Sequence, residues 1–126
     1  MEQRIKQVLN LYFTSYADKF TITTIPVKEA RHTNNPLVIR PGIYIFWTEN
    51  TIWKVGKHLI NVRKRSLQHI GDNTKSGIYE MNSLEENPQA FITYLTINSN
   101  EDEYWIPSLE MLCEMKLSPL IRSKRR

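Results

Sequence analysis

Two strand-like runs separated by a short polar turn, and followed at once by a helix signal, constrain the fold of this chain most. Residues 42–47 read Gly-Ile-Tyr-Ile-Phe-Trp and residues 51–55 read Thr-Ile-Trp-Lys-Val. Both runs are rich in the β-branched and aromatic side chains that favour strands, so they predict a β-hairpin. Asn61 can cap a helix over residues 62–70, because its side chain accepts a hydrogen bond from a free backbone amide. Gly71 is expected to end that helix.

Other segments predict one more core strand and two more helices. Residues 91–97 are β-branched and aromatic and predict a third core strand. A last helix is expected to open at Pro107 and to close at Ser118. Residues 2–17 carry apolar side chains at the 3.6-residue spacing of an amphipathic helix, and residues 20–28 form a further β-prone segment.

The predicted architecture is α+β, with a small three-stranded sheet, antiparallel or mixed, flanked by helices in the order β-β-α-β-α. We expect residues 1–40 to form a helix-and-strand extension packed on this core, residues 41–121 to form the main domain, and residues 122–126 to form a basic tail. Pro26 favours an edge position for the N-terminal strand, because proline has no amide to donate.

Cysteine content and hydropathy bear on the compartment. The single cysteine, Cys113, cannot form an internal disulfide, which favours a reducing environment. No apolar run approaches the ~20 residues that span a bilayer. The N-terminus also lacks the apolar block of a signal peptide. These features predict a soluble, cytoplasmic protein with no membrane partner.

Charge is segregated along the chain, although the net charge is only +4. Residues 54–75 carry six Lys or Arg against one Asp, and residues 76–114 carry eight acids and neither Lys nor Arg. Residues 115–126 are basic again. This distribution fits a basic face for a polyanion, and it also fits ordinary solvated charge.

Four separated pieces of the chain carry the functional groups that phosphodiester cleavage uses. The pieces are Gly-Ile-Tyr ending at Tyr44, Lys-Val-Gly starting at Lys54, a helical segment with Arg65 and His69, and Glu110 with a proline nine residues on. Hairpin pairing predicts that Tyr44 and Lys54 face one site. Arg65 and His69 are four residues apart and therefore lie on one side of a helix. Each piece alone also has an ordinary structural explanation.

Glu110 is the strongest physical clue among these residues. Ile106, Cys113 and Leu117 lie at helical spacing around it and form an apolar stripe. An ionised carboxylate in such a stripe costs several kcal/mol unless it is paired or binds a metal. The alternatives are a buried ion pair with a nearby Arg or Lys, or a rotated helix that leaves the carboxylate in water. Glu114, one turn on, could support Glu110 or could be a surface acid.

Together the four pieces resemble the GIY-YIG nuclease family over roughly residues 41–121. The resemblance implies a metal-dependent endonuclease that hydrolyses phosphodiester bonds in nucleic acid, with DNA as the expected substrate. Glu110 would hold one divalent ion, Mg²⁺ or Mn²⁺, and Arg65 would contact the scissile phosphate. Tyr44 would be the general base or would position the attacking water. Lys54 would lower the pKa of that phenol, because a nearby cation favours the phenolate.

The resemblance also implies contacts beyond the reacting atoms. His69 would pass protons to Tyr44 or contact the phosphate. The basic side chains of Lys57, Arg63 and Lys64 would contact the nucleic acid. Since family members usually carry extra recognition modules, we expect weak sequence preference, a dimer, or a partner that supplies target specificity.

The chain departs from the family pattern in ways that keep an alternative open. Lys54 stands where the family normally has a second tyrosine, so either Lys54 substitutes for it or Trp53 takes its place. Leu120 follows the proline where the family commonly has asparagine. The alternative is a catalytically inactive nucleic-acid-binding or protein-interaction module of the same fold. A second Gly-Ile-Tyr at residues 77–79 lies in polar sequence and is interpreted as coincidence.

Overall fold

The computed structural model describes residues 1–123; the rest of the predicted basic tail, Lys124 to Arg126, lies outside the described residues. Within residues 1–123, the helices are α1 (Glu2–Tyr12), α2 (Tyr16–Lys19), α3 (Val62–Gly71) and α4 (Trp105–Leu117). The strands are β1 (Phe20–Pro26), β2 (Gly42–Thr48), β3 (Thr51–His58), β4 (Lys75–Ser76), β5 (Tyr79–Glu80) and β6 (Phe91–Ile97). None of these helices is both long enough and apolar enough to cross a membrane.

The main sheet is antiparallel and has the strand order β1-β6-β2-β3. The predicted α+β class is confirmed, but the prediction of three strands is wrong. The N-terminal strand pairs with β6 along its whole length, from Phe20 opposite Ile97 to Pro26 opposite Phe91. Residues 1–40 therefore complete the sheet as well as packing on it. Pro26 lies on an edge strand, as predicted.

Side-chain alternation along β2 divides the core into two layers. Ile43 and Ile45 face α1 and α4, and Tyr44 and Phe46 face α3. This division follows from the two-residue period of a strand. The first layer also contains buried residues of both helices, namely Ile5, Leu9, Ile106, Leu109, Cys113 and Leu117. Tyr44 therefore lies in the layer under α3, whereas Glu110 belongs to the helix on the other side.

Local signals explain where the helices begin and end. The Asn61 side chain accepts a hydrogen bond from the Lys64 amide at 3.0 Å, which confirms the predicted cap of α3. Helix α4 begins two residues before Pro107. Proline is tolerated in this first turn because the backbone amides there have no partner within the helix. The helix ends where Ser118 takes a left-handed φ of 50°. The single helix predicted over residues 2–17 is instead α1 and the short α2.

After α4 the chain returns along β3 and covers its open edge. The Leu120 and Ile121 amides donate to β3 carbonyls at 3.0 and 2.8 Å, and the Ser123 hydroxyl donates to a third β3 carbonyl at 2.9 Å. These bonds satisfy backbone groups that an edge strand would otherwise expose. They also bring Arg122 and Ser123 beside the candidate site.

Candidate active site

A cleft of about 580 Å³ opens around the edge of β3. The five side chains predicted to carry chemistry all line it, namely Tyr44, Lys54, Arg65, His69 and Glu110. Tyr44 and Lys54 reach it from the α3 face of the sheet, and Glu110 reaches it from the α4 face. The fold therefore brings together residues from two strands and two helices that lie up to 66 positions apart.

Gly56 lets the Tyr44 phenol reach this cleft. The two residues are directly opposite each other in the ladder between β2 and β3. A Cβ added to Gly56 would lie 2.0 Å from the Tyr44 hydroxyl oxygen and 2.2 Å from its Cζ atom. Because Gly56 has no side chain, the phenol can pass directly over the backbone of β3 at this position.

A β-bulge in β3 decides that Lys54, and not Trp53, faces the cleft. The register between β2 and β3 skips Trp53, which is the extra residue of the bulge. A bulge re-aims the side chains beside it, and here it places Lys54 on the same face as Tyr44. The Trp53 ring instead packs edge-on against Tyr79, with centroids 5.6 Å apart, and does not line the cleft.

Burial holds the Tyr44 phenol in its protonated form. Desolvation raises its pKa above the ordinary value, the Arg65 cation lowers it in part, and the Glu110 carboxylate raises it further. The expectation of a lowered phenol pKa is therefore wrong, because burial outweighs the Arg65 cation, which is the neighbouring cation that lowers this pKa. At neutral pH the hydroxyl can donate or accept a hydrogen bond.

His69 is buried beside the phenol and is held by a hydroxyl. Its Nδ1 atom lies 2.8 Å from Thr74 Oγ1, and its ring centroid lies 5.7 Å from that of Tyr44. Burial, together with the nearby Lys54 and Arg65 cations, lowers the pKa of His69 to about 4. The imidazole is therefore neutral at neutral pH, with one ring nitrogen able to donate and the other able to accept.

Glu110 is buried, with 4% of its surface exposed. The alternative of a rotated helix that exposes its carboxylate to water is therefore wrong. Lys57 Nζ lies 3.6 Å from Glu110 Oε1, which is the ion pair considered from the sequence. Glu114 is also buried, and its carboxylate accepts a hydrogen bond from the Ser123 amide at 3.2 Å. Glu114 is therefore not a surface acid, and it anchors the segment that covers β3.

The three predicted nucleic-acid contacts have different positions. Lys57 lines the cleft, whereas Lys64 is exposed on α3 and does not. Arg63 does not line the cleft either, because its guanidinium donates hydrogen bonds to the backbone carbonyls of Ala30 and Arg31. These bonds tie α3 to the segment after β1, which gives Arg63 a structural task.

Sequence reasoning missed several residues that line the cleft. Asn73, Thr74 and Lys75 come from the polar segment after α3, and Arg122 and Ser123 come from the segment after α4. Charge was the one available signal for Lys75 and Arg122, since the sequence does not show where either segment folds back. These lysine and arginine side chains add to the positive charge around the cleft.

The cleft offers few protein ligands for a metal. Within residues 1–123, no group of three or more His, Cys, Asp or Glu side chains could hold an ion. Among these described residues, Glu110 is the one carboxylate that lines the cleft. Mg²⁺ commonly binds through one or two carboxylates, several waters and substrate phosphate oxygens. The donor set therefore fits such an ion together with a phosphate-bearing ligand.

No protein-family model matches the chain, and neither the curated proteins nor the solved structures contain a match. The function proposed below therefore depends on the residues of this chain and on their positions.

We expect His69 to make the fold less stable in acid. Its pKa falls from 6.5 to about 4 on folding, so between these values the unfolded state binds more protons than the folded state. The free energy of unfolding should therefore fall by up to about 3 kcal/mol as the pH drops through this window. Urea denaturation followed at neutral pH and at successively lower pH measures this slope.

Two histidine variants test the source of that slope. His69→Gln should flatten the profile, because it removes the group that titrates. His32→Gln is the matched control, since His32 is exposed and does not line the cleft. A His69→Gln profile parallel to that of the wild type would show that other groups cause the loss of stability in acid.

Proposed function

We propose that this chain is a metal-dependent endonuclease of the GIY-YIG type, which hydrolyses phosphodiester bonds in nucleic acid, with DNA as the expected substrate. The observation that carries this proposal is the meeting of a phenol, an amine, a guanidinium, an imidazole and a carboxylate in one cleft. These groups supply proton transfer, water positioning and charge stabilisation, which phosphodiester hydrolysis requires.

The charge of the cleft suits a phosphodiester. Its lining cations are Lys54, Lys57, Arg65, Lys75 and Arg122, and among residues 1–123 Glu110 is the one carboxylate that faces them. Clustered cations in a concave site attract phosphate and raise its local concentration. The cleft volume of about 580 Å³ also lies in the range typical of small-ligand sites, so a sugar-phosphate link would fit.

Arg65 is the proposed stabiliser of the charged transition state. Its guanidinium is planar, remains charged at any relevant pH and presents a donor fork that matches phosphate oxygens. Its Nη1 atom now donates to Gln68 at 3.0 Å, which holds the side chain at the rim of the cleft. Loss of one such donor typically costs about 3 kcal/mol of transition-state stabilisation.

We assign His69 and Tyr44 different roles towards the attacking water. The protonated phenol of Tyr44 orients the water, and the neutral imidazole of His69 accepts its proton. A bound phosphate would offset the Lys54 and Arg65 cations, which lower the His69 pKa, and would so make this base stronger. A general base works best when its pKa lies near the working pH.

A divalent ion, Mg²⁺ or Mn²⁺, belongs to this proposal, with Glu110 as its protein ligand. When bound, the ion would supply electrostatic stabilisation for the leaving oxygen. Lys57 balances the buried charge of Glu110, since an unpaired carboxylate at this depth would be costly.

The second candidate is a catalytically inactive module of the same fold that binds nucleic acid or protein. The ion pair between Lys57 and Glu110 favours it, because this pair satisfies the carboxylate without a metal. An inactive module predicts binding to the basic cleft with no cleavage. A nicking assay therefore separates the two candidates.

We expect the protein to nick supercoiled plasmid in Mg²⁺ and not in EDTA, and we expect Arg65→Lys to slow nicking by about 10²-fold. Lysine keeps the charge but lacks the donor fork, so the loss reports phosphate geometry. Arg4→Lys is the matched control, because Arg4 is exposed on α1 and does not line the cleft. No nicking of plasmid, short duplex or single strands with either metal would favour the inactive module.

A further inference from the structure

A small hairpin beside the cleft ends in an exposed apolar side chain. Strands β4 and β5 pair antiparallel, and Gly77 and Ile78 form the two-residue turn between them. Gly77 has a left-handed φ of 59°, as such tight turns require. Ile78 is 87% exposed, which is unusual for a large aliphatic side chain held at the tip of an ordered element.

The base of this hairpin is firmly held, although its tip is open. The Asn73 side chain donates to Glu80 at 3.1 Å and accepts from the Asn82 amide at 3.0 Å. The amide of buried Met81 donates to the Thr74 carbonyl at 2.9 Å. These contacts fix the direction in which the hairpin projects, so Ile78 is presented at a defined place.

The hairpin also forms part of the cleft wall. Thr74 and Lys75 line the cleft, and the Thr74 hydroxyl holds His69. Ile78 lies three residues beyond Lys75, so it is within about 10 Å of the wall at the ~3.3 Å rise of a strand. Tyr79, the residue after Ile78, stands edge-on to the Trp53 ring. A nucleic acid whose phosphate enters the cleft would therefore meet the hairpin tip.

We propose that this hairpin is a base wedge: Ile78 inserts between bases next to the phosphodiester in the cleft, so the substrate class is base-paired nucleic acid opened at the cut site. This inference rests on the proposed nuclease function. Apolar side chains inserted in this way unstack base steps and kink a duplex. The Gly-Ile tip carries no side-chain donor or acceptor, so its side chains cannot read base edges by hydrogen bonding.

With such a wedge, the protein chooses its targets by how easily the nucleic acid deforms rather than by base sequence. Unstacking costs least at flexible steps, mismatches and bulges, so these should be preferred over uniform duplex. The Gly-Ile-Tyr at residues 77–79 then has a function of its own, unrelated to that of Gly42-Ile43-Tyr44.

Binding of a duplex labelled with 2-aminopurine, measured in EDTA, tests the wedge without any cleavage. The wild type should raise the probe's fluorescence, because unstacked 2-aminopurine emits more strongly. Ile78→Ser should remove most of this rise and weaken binding to a fully paired duplex by about tenfold, while binding to a bulged duplex changes by less than about twofold. Ile60→Ser is the matched control, since Ile60 is 74% exposed and does not line the cleft.

The outcomes separate the wedge from the nuclease proposal. Binding with no fluorescence rise, or an Ile78→Ser protein that behaves like Ile60→Ser, overturns the wedge and leaves the nuclease function standing. A fluorescence rise that depends on Ile78, without nicking in Mg²⁺, supports the wedge and overturns the nuclease function. A wild type that binds no nucleic acid overturns both. Thermal unfolding of each variant checks that these exposed substitutions leave the fold intact.

Discussion

Replacement of Glu110 by glutamine should lower Mg²⁺-dependent nicking by about 10³-fold or more, because the change removes the proposed metal ligand and keeps the side-chain shape. Among the described residues, no other carboxylate lines the cleft, so none is placed to substitute. The fold should tolerate this variant, since Lys57 is 38% exposed and can turn towards water. The rate of conversion of supercoiled to nicked plasmid measures the effect.

A matched control distinguishes this loss from a general change in charge. Glu103→Gln removes an exposed acid that precedes α4 and should nick at the wild-type rate. Urea denaturation of both variants checks that they are folded. If Glu110→Gln nicks as fast as the wild type, the carboxylate is only the structural partner of Lys57, and the proposed metal site is wrong.

Gly56→Ala should both destabilise the fold and inactivate the site. The added Cβ would lie 2.0 Å from the Tyr44 hydroxyl oxygen, and the phenol is enclosed by Phe46 and His69, with ring centroids 5.6 and 5.7 Å away. Forcing an extra methyl into a packed site costs about 1–3 kcal/mol. Displacement of the phenol should also slow nicking by about 10²-fold, because small misplacements at a reacting centre are costly.

Two further variants isolate the cause of the Gly56→Ala effect. Gly71→Ala is the matched control, because among the described residues no atom outside its own helical turn and chain neighbours lies within 4 Å of its added Cβ. At this helical site the change should stabilise the fold by about 0.5–1 kcal/mol. Combining Gly56→Ala with Tyr44→Leu should recover stability without activity. A Gly56→Ala protein with wild-type stability and wild-type nicking would show that the phenol does not require the open space over Gly56.

The parts of the fold that were predictable depend on short-range signals. The strand over residues 91–97 and the Asn61 cap of α3 are found as predicted, since propensity and capping act within a few residues. The β-prone character of the fourth strand was predictable, but its pairing with β6 in the main sheet was not. Phe20 pairs with Ile97, and no local pattern records a partner 77 positions away.

The same distinction holds within the candidate site. Hairpin pairing correctly placed Tyr44 and Lys54 on one face, but the bulge that excludes Trp53 depends on how the two strands pair. The segment after α3 looked like a polar connection, yet it supplies Thr74 and the hairpin. Arg63 looked like a nucleic-acid contact because its basic neighbours suggested one, whereas its bonds to backbone carbonyls arise from tertiary packing.

The sequence by itself determined most of the local elements and identified the five side chains that meet in the cleft. Periodicity, capping and residue chemistry are encoded over a few neighbouring positions, so they can be recognised without a structure. Only the tertiary structure decided that the phenol remains protonated, that Lys57 pairs with Glu110, and that Ile78 is exposed at the tip of a hairpin. Burial and proximity of charges arise from residues distant in the chain, and these set both the pKa values and the shape of the site.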